Sequence, residues 1–312
     1  MKVLIFTNSS LFVKIVLGLT KHVQLAGIII PDGVNHDLLH TIEYAADQQI
    51  PLLKVSPADL QENTGVASWI AATGCSSAMV LTFPFKIPAH ILNIPEKGIF
   101  NVHYSKLPSY KGADPLFWQL KNGEKEVALT VHRMTEKFDD GPIIFSRELA
   151  VLPGENYGLV KTRLTMLLQH NLENIFQDIS SGKYIDANPL LKISYYKRPQ
   201  ADELIINWEK QSAEEIENLV NAANPMYNGA TTSLNGLLIR VLEVSGVDGA
   251  FESGTIMPGT IFHIDPHHGP MVLTADKQLI LLNVIETENG IFSGKKFCAM
   301  GLKQGDIFLN LN

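Results

Sequence analysis

The chain reads as an α/β protein with a doubly wound, mostly parallel sheet, followed by a smaller C-terminal β-barrel. Three observations predict this. Short β-rich runs alternate with longer stretches of helical apolar spacing up to about residue 180, many of those runs are apolar throughout, and from about residue 201 short alternating strands divided by Gly and Pro take over. Parallel strands covered by helices are buried on both faces and lose the polar half of the strand pattern, whereas a small barrel keeps it. A chain of 312 residues, 46% hydrophobic and 18% charged, fits one large domain or two smaller ones, and two are expected because single cores usually stop growing at roughly 250–300 residues. The boundaries drawn from texture are 1–188, a linker at 189–202, and 203–312.

Taken in order, 2–7 (KVLIFT), 23–30 (VQLAGIII) and 78–83 (AMVLTF) are the first predicted strands, and Leu38, Leu39, Ile42, Tyr44, Ala45 and Ala46 mark an intervening helix. The run Ala26-Gly27-Ile28-Ile29-Ile30 has no polar face, as a central parallel strand requires. Further strands follow at 98–103, 127–134 and 142–149, then a long helix over 157–179 stopped by Ser180-Ser181-Gly182. Pro189, Tyr195-Tyr196 and Pro199 mark the connector. After it come one amphipathic helix over 212–223 and strands at 237–244, 255–264, 271–274 and 279–285.

Composition excludes several classes. The N-terminus is interrupted by Thr7-Asn8-Ser9-Ser10 and Lys14 and lacks the apolar core of a signal peptide, and no run of ~20 apolar residues occurs. A cytoplasmic protein without a membrane partner is therefore expected. The two cysteines, Cys75 and Cys298, fit neither a disulfide framework nor a zinc pattern. Charge is unevenly placed: residues from 201 onward hold six Lys/Arg against fourteen Asp/Glu, a balance of −8 out of the chain's −7, so the first 200 residues carry +1. That C-terminal third has no cation cluster of the kind that displaces phosphate counterions. His263, His267 and His268 gather near a turn without a Cys or carboxylate ladder, so no metal site is expected.

The chemistry-bearing passage is Gly98-Ile99-Phe100-Asn101-Val102-His103, followed by Tyr104 to Gly112 (YSKLPSYKG). Asn101 and His103 stand at i and i+2 on an apolar strand and so share one side of it. The carboxyl ends of strands in an open α/β sheet form its ligand crevice. An amide that donates without titrating, beside an imidazole that titrates near neutrality, suits a carbonyl oxygen that becomes negative as a nucleophile adds. A plain alternative is that both residues only cap local backbone. Phe138-Asp139-Asp140-Gly141-Pro142 supplies an acid that could orient His103, although an Asp-Gly turn between two strands needs no function at all.

Asn-Val-His, Ser-Lys-Leu-Pro, Tyr-Lys-Gly and the later Asp-Asp-Gly-Pro, in this order and spacing, resemble the signature of the folate-dependent formyltransferases. The likeness is good over 76–180 and loose over 1–75, while 201–312, especially Ile206-Asn207-Trp208 and Asn224-Pro225, resembles the barrel appended in the tRNA and sugar branches. The resemblance implies a Rossmann-like formyltransferase fold with an OB-like barrel, and 10-formyltetrahydrofolate as donor co-substrate with no metal. It implies a catalytic set of Asn101, His103 and Asp139, with Asp139 preferred over Asp140. It places the pterin against Phe83, Phe85, Lys86 and Ile87 and against Glu136, Lys137, Phe138 and Asp140. Ser105, Tyr110, Gly112 and Asp114 are expected near the acceptor, with Trp118 and His132 as further residues shaping its pocket. The acceptor is expected to be a small amine, such as a nucleotide amino sugar, ahead of tRNA. The short acidic segment Pro31 to Asp37 and the acidic C-terminal third speak against tRNA. A hydrolase releasing formate and a folate-binding module without turnover are the remaining alternatives.

Overall fold

A computed structural model describes residues 1–19, 23–33, 36–186, 188, 190–247, 249 and 254–311. Pro189 of the expected connector, and Val34 and Asn35 of the acidic segment, lie outside the described residues. The strands in chain order are β1 (Lys2–Thr7), β2 (Gln24–Pro31), β3 (Leu52–Val55), β4 (Ser77–Leu81), β5 (Ile99–His103), β6 (Lys111–Gly112), β7 (Glu126–Arg133), β8 (Ile143–Ala150), β9 (Tyr195–Tyr196), β10 (Ala230–Leu234), β11 (Leu237–Val247), β12 (Ile261–Asp265), β13 (Gly269–Leu273), β14 (Leu279–Thr287), β15 (Gly290–Ser293) and β16 (Phe308–Leu309). The helices are α1 (Ser10–Leu19), α2 (His36–Asp47), α3 (Val66–Thr73), α4 (Ala89–Leu92), α5 (Pro115–Lys121), α6 (Tyr157–Ser181), α7 (Ala213–Ala223) and α8 (Gly294–Cys298). No described helix is long and apolar enough to cross a membrane.

Two compact units divide the chain. The first comprises Met1–Gly112, Ala128–Leu149 and Leu164–Tyr195, and the second Ala113–Val127, Ala150–Arg163 and Tyr196–Asn312. This grouping is not sequential, since 113–127 and 150–163 join the C-terminal residues. Within the second unit Phe117 of α5 meets Tyr227 edge to face at 5.1 Å, and the Gly158 backbone lies so close to Pro225 that a Cβ there would sit 2.8 Å from its ring.

The first unit holds a seven-stranded sheet in the order β3-β2-β1-β4-β5-β7-β8. Strands β1 to β5 run parallel and β7 pairs antiparallel with β5. Strand order reverses between β1 and β4, which opens a crevice at the carboxyl ends of the strands. Both faces are covered: Ile29 packs with Leu4, Phe6 and Ile70 on one face, while Ile28 and Ile30 pack with Val13 and Leu38 on the other. That is why the 26–30 run has no polar face. Strand β3, with only four residues at the sheet edge, escapes the sequence pattern. Helix α6 buries Val160, Leu164, Leu168, Leu172, Ile175 and Ile179 at helical spacing.

In the second unit the antiparallel sheet β12-β13-β14-β11-β10-β16 curls until its ends meet. The Ile261 N–H donates to the Asp306 carbonyl at 2.8 Å, and the Phe308 N–H donates to the Gly259 carbonyl at 2.8 Å. Trp208, 1% exposed, plugs the interior against Phe308, ring centres 5.6 Å apart, and its Nε1–H donates to Thr232 Oγ1 at 2.8 Å. The strand expected over 255–264 begins only at Ile261. Pro258-Gly259 turns the chain first, with Gly259 at φ 85° and pressed so close to the Phe308 carbonyl that a Cβ would stand 2.4 Å from it.

Candidate functional site

Antiparallel pairing of β5 with β7 sets Asn101 opposite His132 and His103 opposite Thr130. Directly opposed residues share a face, so the i, i+2 pair of β5 acquires a second imidazole. Asn101 Nδ2 lies 3.4 Å from His132 Nε2. His132 Nδ1 lies 3.1 Å from the Arg133 carbonyl, so both ring nitrogens have a polar neighbour. His132 Nε2 stands between the Asn101 amide and Asp139 Oδ1, 3.4 Å from each.

His103 is 5% exposed. Because a carbonyl only accepts, its Nε2, 3.0 Å from the Tyr110 carbonyl, must donate to it. In the neutral ring Nδ1 is therefore a bare lone pair, and it faces Asp139 Oδ1 at 3.8 Å. Burial pushes the His103 pKa below its ordinary value, against the opposing pull of the Asp139 charge and the Tyr110 carbonyl. The resting imidazole is neutral.

Asp139 sits at φ 48°, a backbone region that costs a non-glycine residue free energy and persists only where the surroundings hold it. The holding group is the Gly112 N–H, which donates to Asp139 Oδ2 at 2.8 Å, while Oδ1 lies 3.4 Å from His132 Nε2. Burial alone would raise this carboxyl. The charge His103 carries once protonated in acid, a hydrogen bond from His132 and the Gly112 N–H outweigh it and hold the pKa at about 2. Asp140 turns away from the imidazoles and pairs with Lys111 Nζ, whose hydrogen bond and charge lower its pKa. The two acids of the Asp-Asp-Gly turn are thus in different environments, with Asp139 on the imidazole side.

The remaining expected residues divide. Phe83 meets Phe6 and Phe85 edge to face, each at 5.4 Å, and both Phe83 and Phe85 pack partly buried on the core. Ile87, 2% exposed, belongs to that core itself and offers almost no surface. Lys86 Nζ lies 5.3 Å from the centre of the Phe138 ring, which is 53% exposed, with Glu136 and Lys137 exposed beside it. Ser105 is fully buried and its hydroxyl donates to the Ser109 carbonyl at 2.9 Å, so it shapes the 105–110 loop from inside. Asp114 belongs to the second unit, where its carboxylate accepts hydrogen bonds from the Tyr157 and Tyr227 hydroxyls. Trp118 donates its Nε1–H to the Lys197 carbonyl at 2.9 Å in that unit.

His132 is the residue whose place sequence reasoning understated. Its i, i−2 relation to Thr130 matched that of Asn101 to His103 on the next polar-bearing strand, but only the register brings the two pairs together. No described group of three or more His, Cys, Asp or Glu side chains could hold a metal ion. His267 and His268 both donate backbone N–H groups to Asp265 Oδ1 at 2.8 Å, locking a turn. A cavity of about 580 Å³ in the second unit is lined by apolar residues such as Leu237, Leu238 and Phe297 and by charged ones such as Arg240 and Glu286, and no imidazole faces it.

The formyl transferase family model matches residues 1–173 and the formyl transferase C-terminal domain model matches 199–300. Similar proteins include a methionyl-tRNA formyltransferase from Prochlorococcus marinus, 26% identical over 77% of this chain and 76% of that one. Another, from Flavobacterium johnsoniae, is 30% identical over 70% of each. Among solved structures, WlaRD, a sugar 3N-formyl transferase solved with dTDP and 5-N-formyl-THF, superposes with a TM-score of 0.66 at 17% identity, covering 90% of this chain and 96% of that one. At that identity the likeness speaks to the fold.

Proposed function

The chain belongs to the formyl transferase family, and from that premise we propose that it moves the formyl group of 10-formyltetrahydrofolate to the amine of a small acceptor, with Asn101, His103 and Asp139 as the catalytic residues. The observation that carries the reading is the convergence of these three side chains, with His132, at the carboxyl end of β5. The donor supplies an activated formyl carbon on nitrogen. Phe83 and Phe85 offer ring edges and faces to a flat heterocycle and Lys86 a cation to an anionic tail, while Ile87 serves only as floor.

In this reading the acceptor amine adds to the formyl carbon while His103 Nδ1, the bare nitrogen of the neutral ring, takes the proton the amine sheds. The imidazolium formed is stabilised by the ionised Asp139 at 3.8 Å and passes the proton on to the nitrogen that leaves. The Asn101 amide stands beside His132 and offers an N–H to the oxygen that becomes negative. Asp139 thus meets an imidazolium made during the reaction rather than one present at rest.

A small amine is preferred to tRNA because the residues from 201 onward carry a balance of −8, which opposes a polyanion. A specific observation favours the second reading: proteins named methionyl-tRNA formyltransferase align over both halves of the chain. The test is transfer from 10-formyltetrahydrofolate with nucleotide amino sugars, other small amines and charged initiator tRNA offered separately. Turnover with a small amine, abolished in His103→Ala, is expected. Turnover with tRNA alone moves the assignment to the second reading, formate release without acceptor makes the protein a hydrolase, and donor binding without turnover makes it a binding module.

A further inference from the structure

We propose that Lys111 and Asp140 form a clip that sets the position of Asp139 relative to His103, so that both are positioning residues for the reaction. The inference deepens the formyl-transfer reading and rests on it for its meaning, though not for its geometry. Residues 110–112 touch both partners of the His103–Asp139 pair: the Tyr110 carbonyl accepts a hydrogen bond from His103 Nε2 at 3.0 Å and the Gly112 N–H donates to Asp139 at 2.8 Å. Lys111 stands between these two contacts. Its ammonium reaches the neighbour of Asp139, so segment 110–112 and turn 139–140 are joined by two successive rungs, Gly112 to Asp139 and Lys111 to Asp140.

Both sides of the clip are anchored. The Lys111 N–H donates to the Ser194 carbonyl at 2.9 Å and the Tyr110 N–H to Ser194 Oγ at 2.8 Å, which ties the loop to the 192–194 segment. On the other side Gly141 packs so tightly under the Arg133 carbonyl that a Cβ would stand 1.8 Å from it. The lysine itself is the unusual element, because at 8% exposure its charge is costly unless it is paired. A buried cation tolerates few positions for its partner, which is what a positioning element needs. Asp140, 44% exposed at its side chain, could meet water if it were only a solubilising charge, yet it turns inward to the ammonium.

The groups facing His103 are Asp139 from the turn, His132 from β7 and the Tyr110 carbonyl from the loop, so His103's own titration reports where Asp139 sits. The experiment is an imidazole NMR titration of the full chain as wild type, Lys111→Met, Lys111→Arg and Lys111→Met/Asp140→Asn, with no folate present. By charge alone, removing the Lys111 cation would raise the His103 pKa. The clip predicts the opposite, a fall of at least about half a unit as the Asp139 carboxylate withdraws. The double variant, which leaves net charge unchanged, is expected to fall likewise, and Lys111→Arg to behave as wild type.

In the transfer assay Lys111→Met is expected to lower kcat about tenfold while KM for the donor stays within about twofold, and Lys111→Arg to recover most of the loss. A His103 pKa that rises or stays put in Lys111→Met overturns the clip and leaves formyl transfer standing. If Lys111→Met does not fold, the double variant decides by the same sign. A wild-type protein that titrates as expected but transfers no formyl group to any acceptor overturns the functional reading and leaves the clip standing.

Discussion

Around the end of β5 two buried histidines face an aspartate, whereas in the barrel Trp208, Thr232 and Thr260 face a hydroxyl or a backbone carbonyl. His103 and His132 lie 3.8 Å and 3.4 Å from Asp139 Oδ1, and buried Lys111 pairs with the neighbouring Asp140. In the barrel Thr232 joins Trp208 to the Leu309 carbonyl, and Thr260 bonds back to the Met257 carbonyl. Burying a hydroxyl with its partner costs little, but burying several groups that compete for protons costs stability unless each is paired. The difference separates a region that buries several titratable groups together from one whose buried hydroxyls pair locally.

The sharpest way to break that contrast is His103→Ala. Its expected effect on transfer is a loss on the order of 10³-fold, about 4 kcal/mol of barrier, with thermal unfolding little changed; a variant retaining a tenth of the activity would remove His103 from the chemistry. Trp208→Ala should do the reverse. Loss of the barrel plug is expected to cost about 3–4 kcal/mol of stability, seen as a lower denaturant midpoint, while the His103 titration stays as in wild type.

Acid tests the site's contribution to stability. Asp139 is held at about 2 against an ordinary 3.8, so the folded state stabilises the carboxylate. That contribution, on the order of 2 kcal/mol, is fully present above the unfolded value and is lost as pH falls through the folded one. The depressed His103 acts in the same direction, since the unfolded chain binds its proton first. Urea unfolding from pH 7 down to pH 3 should show stability falling, and Asp139→Asn should flatten the acid end of that slope. The smallest effect belongs to α7, where Ser212 accepts from the Glu215 N–H and Glu215 from the Ser212 N–H. Ser212→Ala is expected to cost about 1 kcal/mol and to leave transfer unchanged, as a helix cap in the second unit should.

Much of the fold was readable because its marks are local: the 26–30 run shows burial on both faces of a strand, and Ser180-Ser181-Gly182 marks the stop of the helix over 157–179. The strand over 52–55 was missed because four edge residues carry too little pattern, and the 255–260 segment was read as strand because alternation alone does not see a Pro-Gly turn pressed against a neighbouring carbonyl. In the site, Asn101 and His103 were legible from their spacing on one strand. His132 was legible only as a nearby polar residue, since β5–β7 register lies outside any local window.

By itself the sequence determined the fold class, the strand that carries Asn101 and His103, and the Asp-Asp-Gly turn, because these depend on periodicity and on spacing along one chain. Tertiary structure decided which aspartate meets the imidazole, that His103 Nε2 donates to the Tyr110 carbonyl, and that Lys111 is buried against Asp140. Those outcomes depend on which carbonyl, N–H or charge a distant segment brings within about 3–4 Å, and hydrogen bonds and ion pairs lose their strength beyond that range.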